Sequence, residues 1–233
     1  MFIYSTSRGN LRLCDLRDSA LCDQSSQTFG ARDGSGSSGF FDEIISSITD
    51  VKFSPCGTFI LARDYLNTLV WDMRMDSGPL LTLPIHDHIR PRLCELYEND
   101  AVFDKFECSF NHDGSSIISG SYSNFMKVCR VNSALKGDSD SSPDQMDLIH
   151  ADKSIFRNPA ALKRNKSSMS TASSSIGASK SNSATLKKST SWDDFTNLAS
   201  TDFSKKLLHF SAHPRENSVA IASCSNLFIF SQL

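Results

Sequence analysis

An all-β fold assembled from repeated short antiparallel sheets is what this sequence predicts, and three observations predict it. A pattern of strand, glycine-bearing turn, strand, polar corner and strand recurs along the chain. Its apolar runs are short, rich in Val, Ile, Leu and Phe, and bounded by Ser, Asn, Asp, Gly and Pro. Between positions 133 and 204 lies a different composition, with 18 serines, three Phe and no Tyr, so the repeats occupy the other 161 residues.

The elements follow in order. Met1-Phe2-Ile3-Tyr4-Ser5 reads as the second strand of a copy whose first strand has no counterpart in the chain, and Leu11 to Arg17 reads as its third. That third strand superimposes on Leu69 to Arg74 with one extra residue. The clearest copy runs from Asp50 to Asp72. Val51–Phe53 alternates, Ser54-Pro55-Cys56-Gly57 turns the chain, Phe59–Ala62 is apolar and β-prone, and Thr68–Trp71 closes on Asp72. Leu80–Leu83 is the best candidate for an outer strand. A further copy sits 57 residues downstream, with Phe106–Phe110, a turn at Gly114, Ile117–Ser121 and Phe125–Cys129. The last copy comprises Leu207–Pro214, Ser218–Ala222 and Asn226–Phe230.

Strand, turn, strand, corner and a strand ending in Trp-Asp is the signature of a WD40-type β-propeller blade of roughly 40 to 45 residues. The repeats therefore supply a partial propeller of about three to four blades, where closed ones have roughly four to eight. Residues 1–132 are expected to hold a partial blade and two further blades, and residues 205–233 the last partial blade. The serine-rich stretch, 133–204, is expected to be a disordered insert, because its composition cannot bury enough apolar area to offset roughly 1 to 2 kcal/mol of ordering per residue.

Composition excludes several function classes. A net charge of -2 argues against a general nucleic-acid binder. No apolar run approaches the roughly 18 to 20 residues of a membrane span, and the first residues lack a signal-peptide pattern, so a cytoplasmic chain is expected, with the nucleus a second location. Seven scattered cysteines without a C-x-x-C pair suggest mostly buried free thiols, not a disulfide framework or a zinc clip. His86-Asp87-His88 lacks a nearby third ligand and reads as a solvated loop. Asp64, Asp72 and Asp113 sit at corners, where Asp serves turns. With no G-x-S-x-G elbow and no phosphate-binding glycine loop, neither a catalytic residue nor a cofactor is expected.

The order of segments from Phe2 to Phe230 resembles the WD-repeat regulatory B subunit of protein phosphatase 2A, in its C-terminal half and in a plant-like version. The resemblance is carried by Gly9-Asn10-Leu11-Arg12-Leu13-Cys14-Asp15, by Phe40 to Ser54, by Arg63-Asp64-Tyr65-Leu66, by Leu96-Tyr97-Glu98-Asn99-Asp100 and by Phe103-Asp104-Lys105-Phe106-Glu107-Cys108. It implies a seven-bladed propeller that is not itself an enzyme, binds the phosphatase scaffold A subunit next to the catalytic C subunit, and selects phosphoprotein substrates. In that family short helical segments dock on the top face. Carried across by motif, the docking residues are Phe40, Phe41, Cys94, Tyr97, Glu98, Phe103 and Lys105. Residues 86–105 join one blade to the inner strand of the next, a connection where propellers bind partners. The family's early blades and scaffold-contacting hairpin have no counterpart, so the chain reads as a truncated product. A competitor that does not assemble is one alternative, and a general WD-type interaction scaffold unrelated to phosphatase is the other. Within the insert, Ser167, Ser168, Ser189 and Ser191 follow basic residues and are candidate phosphorylation sites.

Overall fold

The computed structural model describes residues 1–18, 26–30, 40–101, 103–131, 146–151 and 201–231. Among them are four antiparallel sheets. The first contains β1 (Phe2–Ser5), β2 (Leu11–Cys14) and β3 (Gln27–Phe29). A short helix, α1 (Phe40–Ser46), leads to the second sheet, β4 (Asp50–Phe53), β5 (Phe59–Arg63), β6 (Asn67–Asp72) and β7 (Leu81–Pro84). A 3-10 helix (Asp87–Arg92) and α2 (Leu93–Glu98) precede the third sheet. That sheet comprises β8 (Cys108–Phe110), β9 (Ser116–Gly120), β10 (Phe125–Arg130) and β11 (Met146–His150). The fourth is β12 (His209–Ala212), β13 (Ser218–Ser223) and β14 (Asn226–Ser231).

Each sheet is a meander of consecutive strands, as propeller blades are. Its turns are set by side chains. Ser54 Oγ accepts the Phe59 amide at 2.9 Å, and Gly57 takes the left-handed φ of +69° that the turn requires. Asn111 Oδ1 accepts the Ser116 amide at 3.0 Å, and Gly114 has φ +72°. Asp15 and Asp72 each accept the amide of an arginine two residues on, at 3.0 and 2.9 Å, and bind its guanidinium, so the corners after β2 and β6 are built alike.

The core lies between sheets. Ile60, Ala62, Leu69 and Trp71 face Leu11, Leu13 and Phe29 of the first sheet, whereas Leu61, Val70 and Leu83 face Cys108, Phe110, Ile117 and Met146 of the third. Burial on both faces explains why β5 and β6 read as continuous apolar runs and not as an alternation. Acidic residues staple neighbouring inner strands: Asp50 Oδ2 accepts the Cys108 amide at 3.0 Å, and Glu107 Oε2, 57 residues later, accepts that of Phe210 at 3.1 Å. No helix among the described residues is long and apolar enough to cross a membrane.

Three expectations need correction. Residues 133–204 were expected to be a single disordered insert, yet Met146–His150 pair with β10 from Met146↔Cys129 to His150↔Phe125 and complete the third sheet. An outer strand takes its order from the backbone of its neighbour, which the five residues Met146-Asp147-Leu148-Ile149-His150, set in a serine-rich stretch, do not advertise. Thr201–Ser204 are likewise held against the third sheet, and apart from Ala151 the remainder of that stretch, including Ser167, Ser168, Ser189 and Ser191, lies outside the described residues. Second, of the six described cysteines only Cys14, Cys108 and Cys129 are buried; Cys56, Cys94 and Cys224 are exposed because they fall on a turn, a helix surface and a hairpin. Third, His86 is wholly buried and not in a solvated loop.

Candidate functional site

The connection between the second and third sheets is helical from Asp87 to Glu98. Ile89, Leu93 and Leu96 turn inward and anchor it. Cys94, Tyr97 and Glu98, at helical spacings of three and four, therefore share the outward face of α2, and all three are exposed. The helix ends in a Schellman motif: the Asp100 amide donates to the Tyr97 carbonyl at 3.1 Å and the Ala101 amide to the Leu96 carbonyl at 3.0 Å, with Asp100 at φ +53° where glycine is usual. Asn99 Nδ2 adds a bond to the Glu95 carbonyl at 2.8 Å.

Sharp reversal after α2 brings Phe103 back over it. Phe103 has φ +70°, which costs a side chain with a Cβ about 1 to 2 kcal/mol, so its surroundings must hold it there. They are aromatic. The Phe103 ring lies 5.6 Å from Tyr97, 6.2 Å from Phe41 and 5.2 Å from Tyr65, and Phe41 meets Tyr97 edge-on at 5.5 Å. Phe41 and Phe103 are half-buried and Tyr97 is 44% exposed, so the cluster is a shelf open to solvent and not inter-sheet core.

Helix α1 brings Phe41 to the shelf. Its Ile45 is buried, and the Ile45 carbonyl accepts the Tyr65 amide at 3.1 Å. Gly9, at φ +78°, admits the end of this helix, since a Cβ there would stand 2.7 Å from the Ser46 carbonyl oxygen. Of the seven residues expected from sequence, Phe41, Tyr97 and Phe103 come into mutual contact. Cys94 and Glu98 share Tyr97's helix face, and Lys105 is exposed two residues beyond Phe103. Phe40 opens α1, but its side chain lies outside the described residues.

Two residues that sequence reasoning passed over complete the site from below. Tyr65 floors the shelf, and its hydroxyl lies 2.9 Å from that of Tyr122. Tyr122 gives its proton to Asp104 Oδ2 at 3.0 Å, so Tyr65 donates to Tyr122. Burial pushes the Tyr65 hydroxyl up to about 12 and Tyr122 further still, which keeps both neutral donors. The available signal was their separation of 57 residues, the repeat offset.

Behind them lies a buried cationic joint. The Arg63 guanidinium donates to the Asp64 and Asn67 carbonyls at 2.6 and 2.7 Å and lies 3.1 Å from His86 Nδ1, while His86 Nε2 meets Ser121 Oγ at 2.9 Å. Nδ1 lies at the same time 3.0 Å from the Tyr65 carbonyl oxygen, so a donor and an acceptor converge on one ring nitrogen. Burial first, then the charges of Arg63 and Lys127, hold His86 well below its ordinary pKa. Lys127 Nζ donates to the Ile85 carbonyl at 2.5 Å. No group of three or more potential metal ligands occurs among the described residues. The arrangement offers aromatic area flanked by charges, which suits docking of a peptide segment, while the hydrogen-bonded His86–Ser121 pair is wholly buried behind it.

Across nearly its whole length the chain is similar to regulatory B subunits of protein phosphatase 2A. It is 44% identical over 231 residues to the PP2A regulatory B subunit of Schizosaccharomyces pombe, covering 99% of the chain and 48% of that protein. Identity to the PP2A 55 kDa regulatory subunit of Drosophila melanogaster is 41% over 231 residues, 99% of the chain and 40% of the relative. The beta isoform of the 55 kDa regulatory B subunit of Arabidopsis thaliana is 42% identical over 230 residues, 99% of the chain and 43% of the relative. No protein-family model matches. The chain spans less than half the length of these relatives.

Proposed function

We propose that this chain, carrying the sequence of the phosphatase 2A regulatory B subunit, acts in substrate selection and not in catalysis. In this reading it serves a holoenzyme made with a scaffold A and a catalytic C subunit. The aromatic shelf receives a short helical segment of a phosphoprotein, with Phe41, Tyr97 and Phe103 supplying buried area. Glu98 and Lys105 set register by pairing with charges on the docked segment. The observation that carries the proposal is the convergence of α1, α2 and the Phe103 turn on one solvent-facing cluster.

The test is co-precipitation of the chain with purified scaffold and catalytic subunits, followed by client recruitment. Phe103→Ala should weaken recruitment about tenfold or more, as loss of a central aromatic anchor does. Lys105→Ala should weaken it roughly two- to fivefold, as loss of a rim charge does. Scaffold binding should be unchanged in both. Failure to bind the phosphatase subunits, with client binding retained, would favour a general interaction scaffold instead.

A further inference from the structure

Within the Phe103-Asp104-Lys105 strip, the middle residue points away from the shelf. Asp104 ties the strip to the third sheet and to the chain leading into the fourth: Oδ2 accepts from Tyr122 at 3.0 Å and Oδ1 from the Lys206 ammonium at 2.8 Å. The side chains of Asp104 and Lys206 are 17% and 29% exposed, so this pair is shielded more than an ordinary surface bridge. Tyr122 extends the chain of bonds to Tyr65, whose ring supports Phe103.

Lys206 is itself firmly placed. It forms a β-bridge with Tyr122, and the Leu207 amide donates to the Ser121 carbonyl at 3.0 Å. Upstream, the Asp202 amide donates to Ser123 Oγ at 2.8 Å, the Ser123 amide to the Asp202 carbonyl at 3.2 Å, and the Phe203 ring lies 4.8 Å from Tyr122. A left-handed aromatic residue such as Phe103 persists only where neighbours over-determine it. Both oxygens of the adjoining carboxylate are committed to donors from rigid parts of the molecule.

We infer that Asp104, clamped between Tyr122 and Lys206, is a positioning residue that fixes the turn at Phe103 and thereby the presentation of Phe103 and Lys105 to a docked segment. The inference rests on the docking reading above. It makes Lys206, 102 positions away in sequence and outside the shelf, a determinant of docking strength.

The experiment uses Lys206→Met, which keeps the stem and removes the charge, with Lys206→Arg as rescue, Asp104→Asn as the reciprocal change and Phe103→Ala as reference. Hydrogen exchange of residues 99–106 is measured on the chain itself. Dephosphorylation is measured on the chain assembled with scaffold and catalytic subunits, using a panel of phosphorylated proteins and p-nitrophenyl phosphate as an undocked control. Lys206→Met should speed exchange of 99–106 and raise KM about three- to tenfold on those panel members that Phe103→Ala impairs. It should leave kcat and p-nitrophenyl phosphate turnover unchanged, and Lys206→Arg should restore both readouts.

Unchanged exchange in Lys206→Met and Asp104→Asn overturns the positioning role. So does an unchanged KM on substrates that Phe103→Ala impairs, and that result leaves the docking reading standing. If Phe103→Ala impairs no panel member, the docking reading falls, and with it the part of the inference that concerns docking strength.

Discussion

The second and third sheets are the same construction 57 residues apart, and they part company at one corner. Ser54 and Asn111 close their first turns in the same way, Gly57 and Gly114 supply the same left-handed residue, and Tyr65 and Tyr122 meet hydroxyl to hydroxyl. At the end of the second strand, however, the second sheet has Arg63, fully buried and donating to two carbonyls, where the third has Gly120. A Cβ on Gly120 would stand 2.0 Å from the Leu207 carbonyl oxygen. A repeat position therefore fixes backbone geometry, while the segment that packs on it dictates the side chain. Beside Arg63 there is a volume to fill, and beside Gly120 the chain leading into the fourth sheet already fills it.

Breaking that difference should have the largest effect. Gly120→Ala is expected to cost about 3 kcal/mol or more, because the obstacle is backbone and cannot step aside. A urea midpoint within experimental error of the parent would show that the close approach does not exist.

Next in size is an acid dependence at the joint between these two sheets. Burial pulls half-buried His88 down to about 4, with the Lys127 charge acting in the same direction, and His86 is depressed as well. Below about pH 6.5 the unfolded chain takes up protons that the folded one refuses. Stability is thus fully present above pH 6.5 and is lost as pH falls toward 4, by on the order of 2 kcal/mol for His88 after allowing for its partial exposure. Asp64, raised by burial, works in the opposite sense, so the informative quantity is the difference between parent and His88→Asn. Melting curves of the two that stay parallel from pH 7 to 4.5 would remove His88 from the joint.

The smallest effect sharpens the comparison where the sheets look most alike. Tyr122→Phe removes a bond from Tyr65 and a bond to Asp104 and should cost about 1 to 2 kcal/mol, whereas Tyr65→Phe should cost about 1 kcal/mol. Equal losses in denaturant would mean that the Asp104 bond contributes nothing to stability.

Much of the fold was legible in the sequence because its signals are local. The turns at Gly57 and Gly114, the apolar strands between them and the Trp71-Asp72 ending sit within a few residues of one another. The short β11 was not legible, since its order is borrowed from β10, nor was helix in the connection carrying Cys94, Tyr97 and Glu98, which rests on three anchors, Ile89, Leu93 and Leu96. Within the site, Phe41, Tyr97 and Phe103 were assigned to docking from motifs, but Tyr65 and Asp104, which lie in the quoted motifs, were not, because their roles depend on contacts with Tyr122 and Lys206.

By itself, then, the sequence determined the repeat, the strand order within each sheet, and the chemistry of the turns, all of which follow from backbone preferences and period. Tertiary structure decided which cysteines and histidines are buried, why Arg63 and Gly120 differ, and how three separate segments raise one aromatic shelf. Those outcomes depend on which atoms of distant segments compete for the same space and the same hydrogen bonds.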